Sequence, residues 1–137
     1  MSRIIPCFLC AFLVVMLSGC GGSKVPLKGK VTFKEDGSPL TRGLVCFETA
    51  TYRARGPLTA DGTYRVSSEK TNDGIPPGLY KVYIFGAEAA IDNPGNKMNA
   101  PRAVPLVAVK YTNADTSGIT IEIDGKTKEF NFEVEKP

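Results

Sequence analysis

Histidine and tryptophan are both missing from the 137 residues. Without histidine the chain lacks the commonest general base and the commonest metal ligand. Without tryptophan the case for stacking against sugars is weakened. Charge of neither sign dominates. Seventeen Lys and Arg against 14 Asp and Glu leave a formal charge of +3, which gives no general case for nucleic acid as a partner. There is no internal repeat, and past residue 19 no helical periodicity. The one long apolar stretch, Ile4 to Leu17, is too short to span a bilayer comfortably, and Pro6 near its start argues against a stable spanning helix.

That stretch has the proportions of a secretory signal: Met1-Ser2-Arg3 as a small positive n-region, then an apolar h-region. It ends in Leu17-Ser18-Gly19-Cys20, which resembles the bacterial lipobox at all four positions. The resemblance implies diacylglycerol in thioether linkage on Cys20, cleavage between Gly19 and Cys20, and acylation of the new amino terminus. Each buried methylene contributes about 0.8 kcal/mol, so two or three long chains anchor firmly where one does not. In bacteria with two membranes, Asp after the lipid-bearing Cys implies retention in the inner membrane. Gly21 stands there instead, so the resemblance favours the outer membrane.

The anchor changes the meaning of the four cysteines. Cys7 and Cys10 lie inside the removed segment, Cys20 carries lipid, and Cys46 remains alone, so the mature chain has no intrachain disulfide. Cys46 reads as a small, half-buried hydrophobe on a strand, since a catalytic thiol would want a histidine partner. Without residues 1–19 the chain has 118 residues and, with Arg3 gone, a formal charge of +2. That is one domain, large enough for a real core. The expected organisation is a signal peptide over 1–19, a lipidated terminus and flexible spacer over 20–26, and a β domain over 27–137.

Within the domain, Leu27 to Lys34 alternates: Leu27, Val31 and Phe33 on one face, Lys28, Lys30, Thr32 and Lys34 on the other. The favoured reading of the lysine stripe is a guarded strand, such as a sheet edge that resists pairing. The alternative is attraction to anionic lipid headgroups. Further strands are expected over 43–48, 56–59, 63–67, 78–85, 105–111, 119–124 and 130–135. Thr49 to Arg55 reads as a loop, and Ala60-Asp61-Gly62 as a hairpin turn. The segments around Ile119-Ile121-Ile123 and Phe130-Phe132-Val134 read as one hairpin with an acidic outer face. Tyr83 and Phe85 are expected to be covered by the second layer of the fold, failing which they form an apolar contact patch. Short strands with regular turn signals predict an all-β sandwich of seven or eight strands.

Residues 86–104 read as a long connection rich in Pro, Gly and Asn. Asn93, Asn96, Lys97 and Arg102 mark it as the candidate interaction loop. Asp92, Asn93 and Asn96 offer oxygens, but their spacing does not match an EF-hand and Pro94-Gly95 reads first as a turn. No metal and no cofactor is assigned. Glu48, Glu69, Asp73 and Asp92 are the carboxylates open to acid–base work; in turns and at strand ends they read as solvated caps.

Three separated patches, Gly29-Lys30-Val31-Thr32-Phe33, Asp61-Gly62-Thr63-Tyr64 and Asp73-Gly74-Ile75-Pro76-Pro77-Gly78-Leu79-Tyr80-Lys81-Val82, resemble small bacterial lipoproteins with a carboxypeptidase-regulatory-like domain. The run from Lys110 to Thr120 resembles the end of that pattern. The resemblance implies a transthyretin-like (prealbumin-like) sandwich and supplies no catalytic residue. Transthyretin-like hydrolases use histidines that this chain lacks. The expected role is a membrane-tethered, non-enzymatic structural or interaction module with an envelope protein or glycan as partner. A binding protein for a small ligand, sugar or peptide is the second reading.

Overall fold

Alternating burial runs the length of each long strand. In β1 (Lys28–Phe33) the inward residues are Gly29, Val31 and Phe33, with Leu27 just before them. In β2 (Leu44–Glu48) they are Val45 and Phe47, and in β5 (Gly78–Phe85) Tyr80, Val82 and Ile84. The shorter strands β3 (Arg53–Pro57), β4 (Thr63–Arg65), β8 (Ile119–Ile123) and β9 (Phe132–Val134) add Ala54, Tyr64, Ile123 and Val134. The computed structural model describes residues 23–92, 95 and 100–137. Every strand and every core residue in it lies between Val25 and Val134.

The fold is all-β, as the sequence predicts, and the described residues hold nine strands rather than the seven or eight expected. One sheet has the order β4-β1-β9 and the other β3-β2-β5-β8. Their inner faces meet in one hydrophobic cluster, and the Phe47 and Tyr64 rings, 6.0 Å apart, span the two layers. The chain turns from one sheet to the other at the Asp61-Gly62 corner. There the Asp61 carboxylate accepts the hydroxyls of Thr59 and Thr63, and the Gly62 carbonyl accepts the Val31 amide at 2.9 Å. Arg55 and Ser67 exchange backbone hydrogen bonds of 2.9 and 2.8 Å, which joins the layers along that edge. The Tyr80 hydroxyl donates to the Pro76 carbonyl four residues upstream at 2.9 Å, a corner device typical of β-sandwiches.

Several expectations need correction. β1 is the middle strand of its sheet, antiparallel to β4 and parallel to β9, so its lysines guard no edge. The expected hairpin over 119–135 does not form. β8 joins β5 while β9 crosses to β1, because Asp124 accepts the amides of Lys126 and Thr127 at 2.8 Å each and turns the chain away. The expected loop over 49–55 gives up its end to β3, which starts at Arg53. The expected unstructured connection over 86–104 contains a two-stranded ribbon, β6 (Glu88–Ile91) with β7 (Arg102–Pro105). The strand expected over 105–111 ends at Pro105, and a 3-10 turn follows at Val109–Thr112. The turn buries Tyr111, and Val107 just before it is buried as well.

Candidate functional site

The N-terminal end of the domain is built around one carboxylate. Asp73 accepts the amides of Ser68, Glu69 and Lys70 at 2.7, 3.1 and 3.0 Å and the Ser68 hydroxyl at 3.0 Å. Three successive amides turned toward one point make an anion-binding nest, and this chain fills it with its own side chain. The Lys24 ammonium completes the set, 2.7 Å from Asp73 and 3.1 Å from Glu69. Val25 exchanges backbone hydrogen bonds with Ile75 at 2.8 and 2.9 Å. Gly74 allows that approach: its φ is +86°, and a Cβ there would stand 2.3 Å from the Val25 carbonyl oxygen. The domain therefore starts at Lys24, and the spacer expected over 20–26 has its last residues docked.

The Lys24 ammonium, followed by the Ser68 amide, holds the Asp73 carboxyl far below the usual carboxylate range. Lys24 is raised in turn, chiefly by its hydrogen bond to Asp73. A carboxyl depressed in the native state stabilises the fold above its unfolded value of about 3.9 and loses that contribution as pH falls toward the native value. A raised lysine contributes fully below its unfolded value of about 10.4 and loses the contribution as pH rises through the native value. The docking of residue 24 is thus complete across the neutral range. Asp73→Asn is expected to lower the thermal midpoint at neutral pH, with the gap from wild type closing as pH drops below about 4. Thermal unfolding followed from neutral to acid pH checks this. A gap constant over the range would mean that the charge of Asp73 is not what matters.

The second feature is the outer face of the larger sheet, which the described residues cover only in part. Phe85 is 63% exposed, so the expectation that a second layer shields it fails. Strand register sets up rows across this face. Pro57, Leu44 and Phe85 form an apolar row; Arg55, Cys46 and Tyr83 a mixed one; Arg53, Glu48, Lys81 and Thr120 a polar one. Beside the polar row, the loop of Thr112 to Asp115 walls a cleft of about 670 Å³ whose floor includes Glu48, Arg53, Lys81 and Tyr83. Arg53 pairs with Glu48 at 3.1 Å and Lys81 with Asp115 at 2.6 Å. Burial, then Cys46 and Glu48, pushes the Tyr83 phenol up to about 12, so it stays protonated and able to donate. Burial likewise pushes the Cys46 thiol up.

No known protein family, curated protein or solved structure matches the chain.

Gly19 and Cys20 lie outside the described residues, as do Asn93, Asn96 and Lys97. Arg102 opens β7 opposite Ile91, exposed, toward the tip of the ribbon. Of the four carboxylates open to acid–base work, Glu48 holds Arg53, and Glu69 and Asp73 share Lys24. Asp92 is exposed beyond β6. The depressed carboxyl of Asp73 is opposite to what a general acid needs. Among the described residues no three acidic or thiol side chains converge as metal ligands, and no helix is long and apolar enough to cross a membrane. Sequence reasoning missed the Lys24–Asp73 pair, whose members lie 49 positions apart. The one available signal was a lysine directly after the Gly-Gly-Ser spacer.

Proposed function

We propose that this chain is a bacterial lipoprotein, acylated at Cys20, whose β-sandwich serves as a non-enzymatic structural or interaction module of the cell envelope. The observation that carries this reading is Leu17-Ser18-Gly19-Cys20 closing a short apolar run, with the first docked residue, Lys24, only four positions later. Gly21 in place of Asp favours the outer membrane as destination. The exposed row of Pro57, Leu44 and Phe85 and the β6–β7 ribbon with Arg102 are the surfaces offered to an envelope protein or glycan. Kinship with the carboxypeptidase-regulatory-like, transthyretin-like domains belongs to the same proposal. It is supported by where its patches fall: the first is β1, the second the corner into β4, and the third the loop and strand that carry Asp73 and β5. The test of the role is capture of the lipidated protein from its own envelope under crosslinking. Enrichment of one envelope protein or glycan supports an interaction module; recovery of lipid alone speaks against it.

One feature favours a second reading, a binding protein for a small ligand, sugar or peptide. The cleft beside Tyr83 falls within the 300–1,000 Å³ usual for ligand sites, and polar side chains converge on it. On that reading a cell-wall fragment, sugar or peptide raises the thermal midpoint, and Arg53→Ala abolishes the rise. No shift with any of them, or with Ca²⁺, leaves the interaction module ahead.

A further inference from the structure

The charges of the two ends of the sandwich are handled differently. At the end away from residue 24, Lys34 and Lys110 both hold Glu135, and Lys136 holds Asp36. At the near end Lys24 holds Asp73 and Glu69, whereas Lys28, Arg65 and Lys128, all three exposed, make no ion pair among the described residues. The fold brings them together. Lys28 pairs with Arg65 across β1 and β4, and the Lys28 amide donates to the Lys128 carbonyl at 3.2 Å. With Pro26 and Asn72 they line an open cleft of about 210 Å³. Glu129, the nearest acid in sequence, accepts from the neutral Asn131 amide at 2.8 Å, which leaves its charge in place; with Glu133 it lines the adjoining cleft beside Lys28 and Arg65 without pairing either.

We propose that this cleft seats the phosphate of an anionic lipid headgroup in the membrane that holds Cys20. The proposal rests on the anchor reading above and adds to it a specific lipid contact and an orientation. Lys24 is docked beside Asp73, four residues after Cys20. Four residues reach at most about 14 Å, so the cleft is held at the bilayer surface. The source follows from how the cleft is built. The amides of residues 68 to 70, which would grip a free anion, are occupied by Asp73. What remains is side-chain charge in an open cleft. That binds one free phosphate weakly, but a bilayer presents many anionic headgroups to the three cations at once, and the tether adds to this in the acylated protein. The position of β1 inside its sheet removes the edge-guarding explanation for Lys28.

The test uses the unacylated chain from residue 21 onward, which contains every strand and core residue of the sandwich. It is sedimented with vesicles of phosphatidylcholine alone and with a one-to-two mixture of phosphatidylglycerol and phosphatidylcholine. Binding to the mixed vesicles only is expected. Substituting Lys28→Gln, Arg65→Gln and Lys128→Gln together should weaken it roughly a hundredfold, at about fivefold per cation. Because these side chains are exposed, the thermal midpoint should hold. The same change at Lys34, Lys110 and Lys136, which alters net charge equally, should leave binding near wild type. Equal loss in both triple variants, or equal binding to pure phosphatidylcholine, overturns the proposal. So does release from the mixed vesicles by inorganic phosphate at an ionic strength where chloride has no effect, which would assign the cleft to free phosphate. Acylation is read separately. An unacylated native protein whose chain still binds the mixed vesicles sinks the anchor and spares the cleft. An acylated one whose chain ignores them sinks the cleft alone.

Discussion

Gly29→Ala is expected to cost about 3 kcal/mol or more, far beyond the usual effect of one methyl group. A Cβ at position 29 would stand 1.9 Å from the Phe130 carbonyl oxygen and 2.6 Å from the Tyr64 hydroxyl oxygen. Neither neighbour is free to move. Tyr64 donates to that same carbonyl at 2.5 Å, and the Phe130 amide donates to the Lys28 carbonyl at 2.9 Å. The Tyr64 ring is 2% exposed and packs against Phe47 and Phe132. Burial pushes its phenol well above the ordinary range, so it remains a donor at any working pH. Making room for the methyl group therefore breaks a buried hydrogen bond and repacks the layer between the sheets. Against a total stability of 5–15 kcal/mol for a typical domain, the thermal midpoint should fall by on the order of 10 °C. Gly125→Ala is the control, because a Cβ there meets nothing within 4 Å. Circular dichroism during heating checks both. Gly29→Ala within about 0.5 kcal/mol of wild type, the range of an ordinary surface change, would contradict the packing described here.

The second large effect is on location. Cys20→Ser keeps the h-region but removes the sulfur that a thioether requires, so the protein should lose its firm, salt-resistant hold on the membrane. On the proposed anchoring, two or three acyl chains, at about 0.8 kcal/mol per methylene, are the whole of the firm attachment. The headgroup cleft supplies only a salt-sensitive remainder. Membrane washing at high salt separates the two contributions. Wild type should resist the wash, and any trace of the variant should not. A variant as tightly held as wild type would mean that something other than lipid on Cys20 attaches the chain.

How far the fold was legible depended on whether a residue's burial or its partner was in question. Alternation named the inward sets of β1 and β5 correctly, because period two follows directly from pleat geometry. It is silent about neighbours. Phe130, Phe132 and Val134 alternate as a hairpin partner of β8 would, yet β9 pairs with β1, 101 residues earlier, in parallel. Glu133 on β9 and Glu135 just past it come to lie beside β1, but of the lysine stripe Lys34 alone finds a carboxylate among the described residues, on Glu135. The ribbon of Glu88–Ile91 and Arg102–Pro105 escaped notice for the opposite reason. It stands out of the core, mostly exposed, so its strands carry no burial pattern. At 105–111 the apolar run was real, but Val107 and Tyr111 are both buried while Val109 between them is 84% exposed. In the sequence, Val107, Val109 and Tyr111 are all apolar and alternate as a strand would, so the turn that exposes Val109 was not legible. For the candidate site, the lipobox-like run Leu17-Ser18-Gly19-Cys20 could be proposed from sequence because it is contiguous. The Asp73 nest and the cleft of Lys28, Arg65 and Lys128 were not, because each is assembled from segments that only the tertiary fold brings together.

The anchor is tested most directly by intact mass spectrometry of the native protein extracted from its membrane. A chain that begins at Cys20 and carries diacylglycerol plus an amino-terminal acyl group is the predicted species. A full-length polypeptide still bearing Met1, with no lipid and recovered from the cytosol, would contradict it.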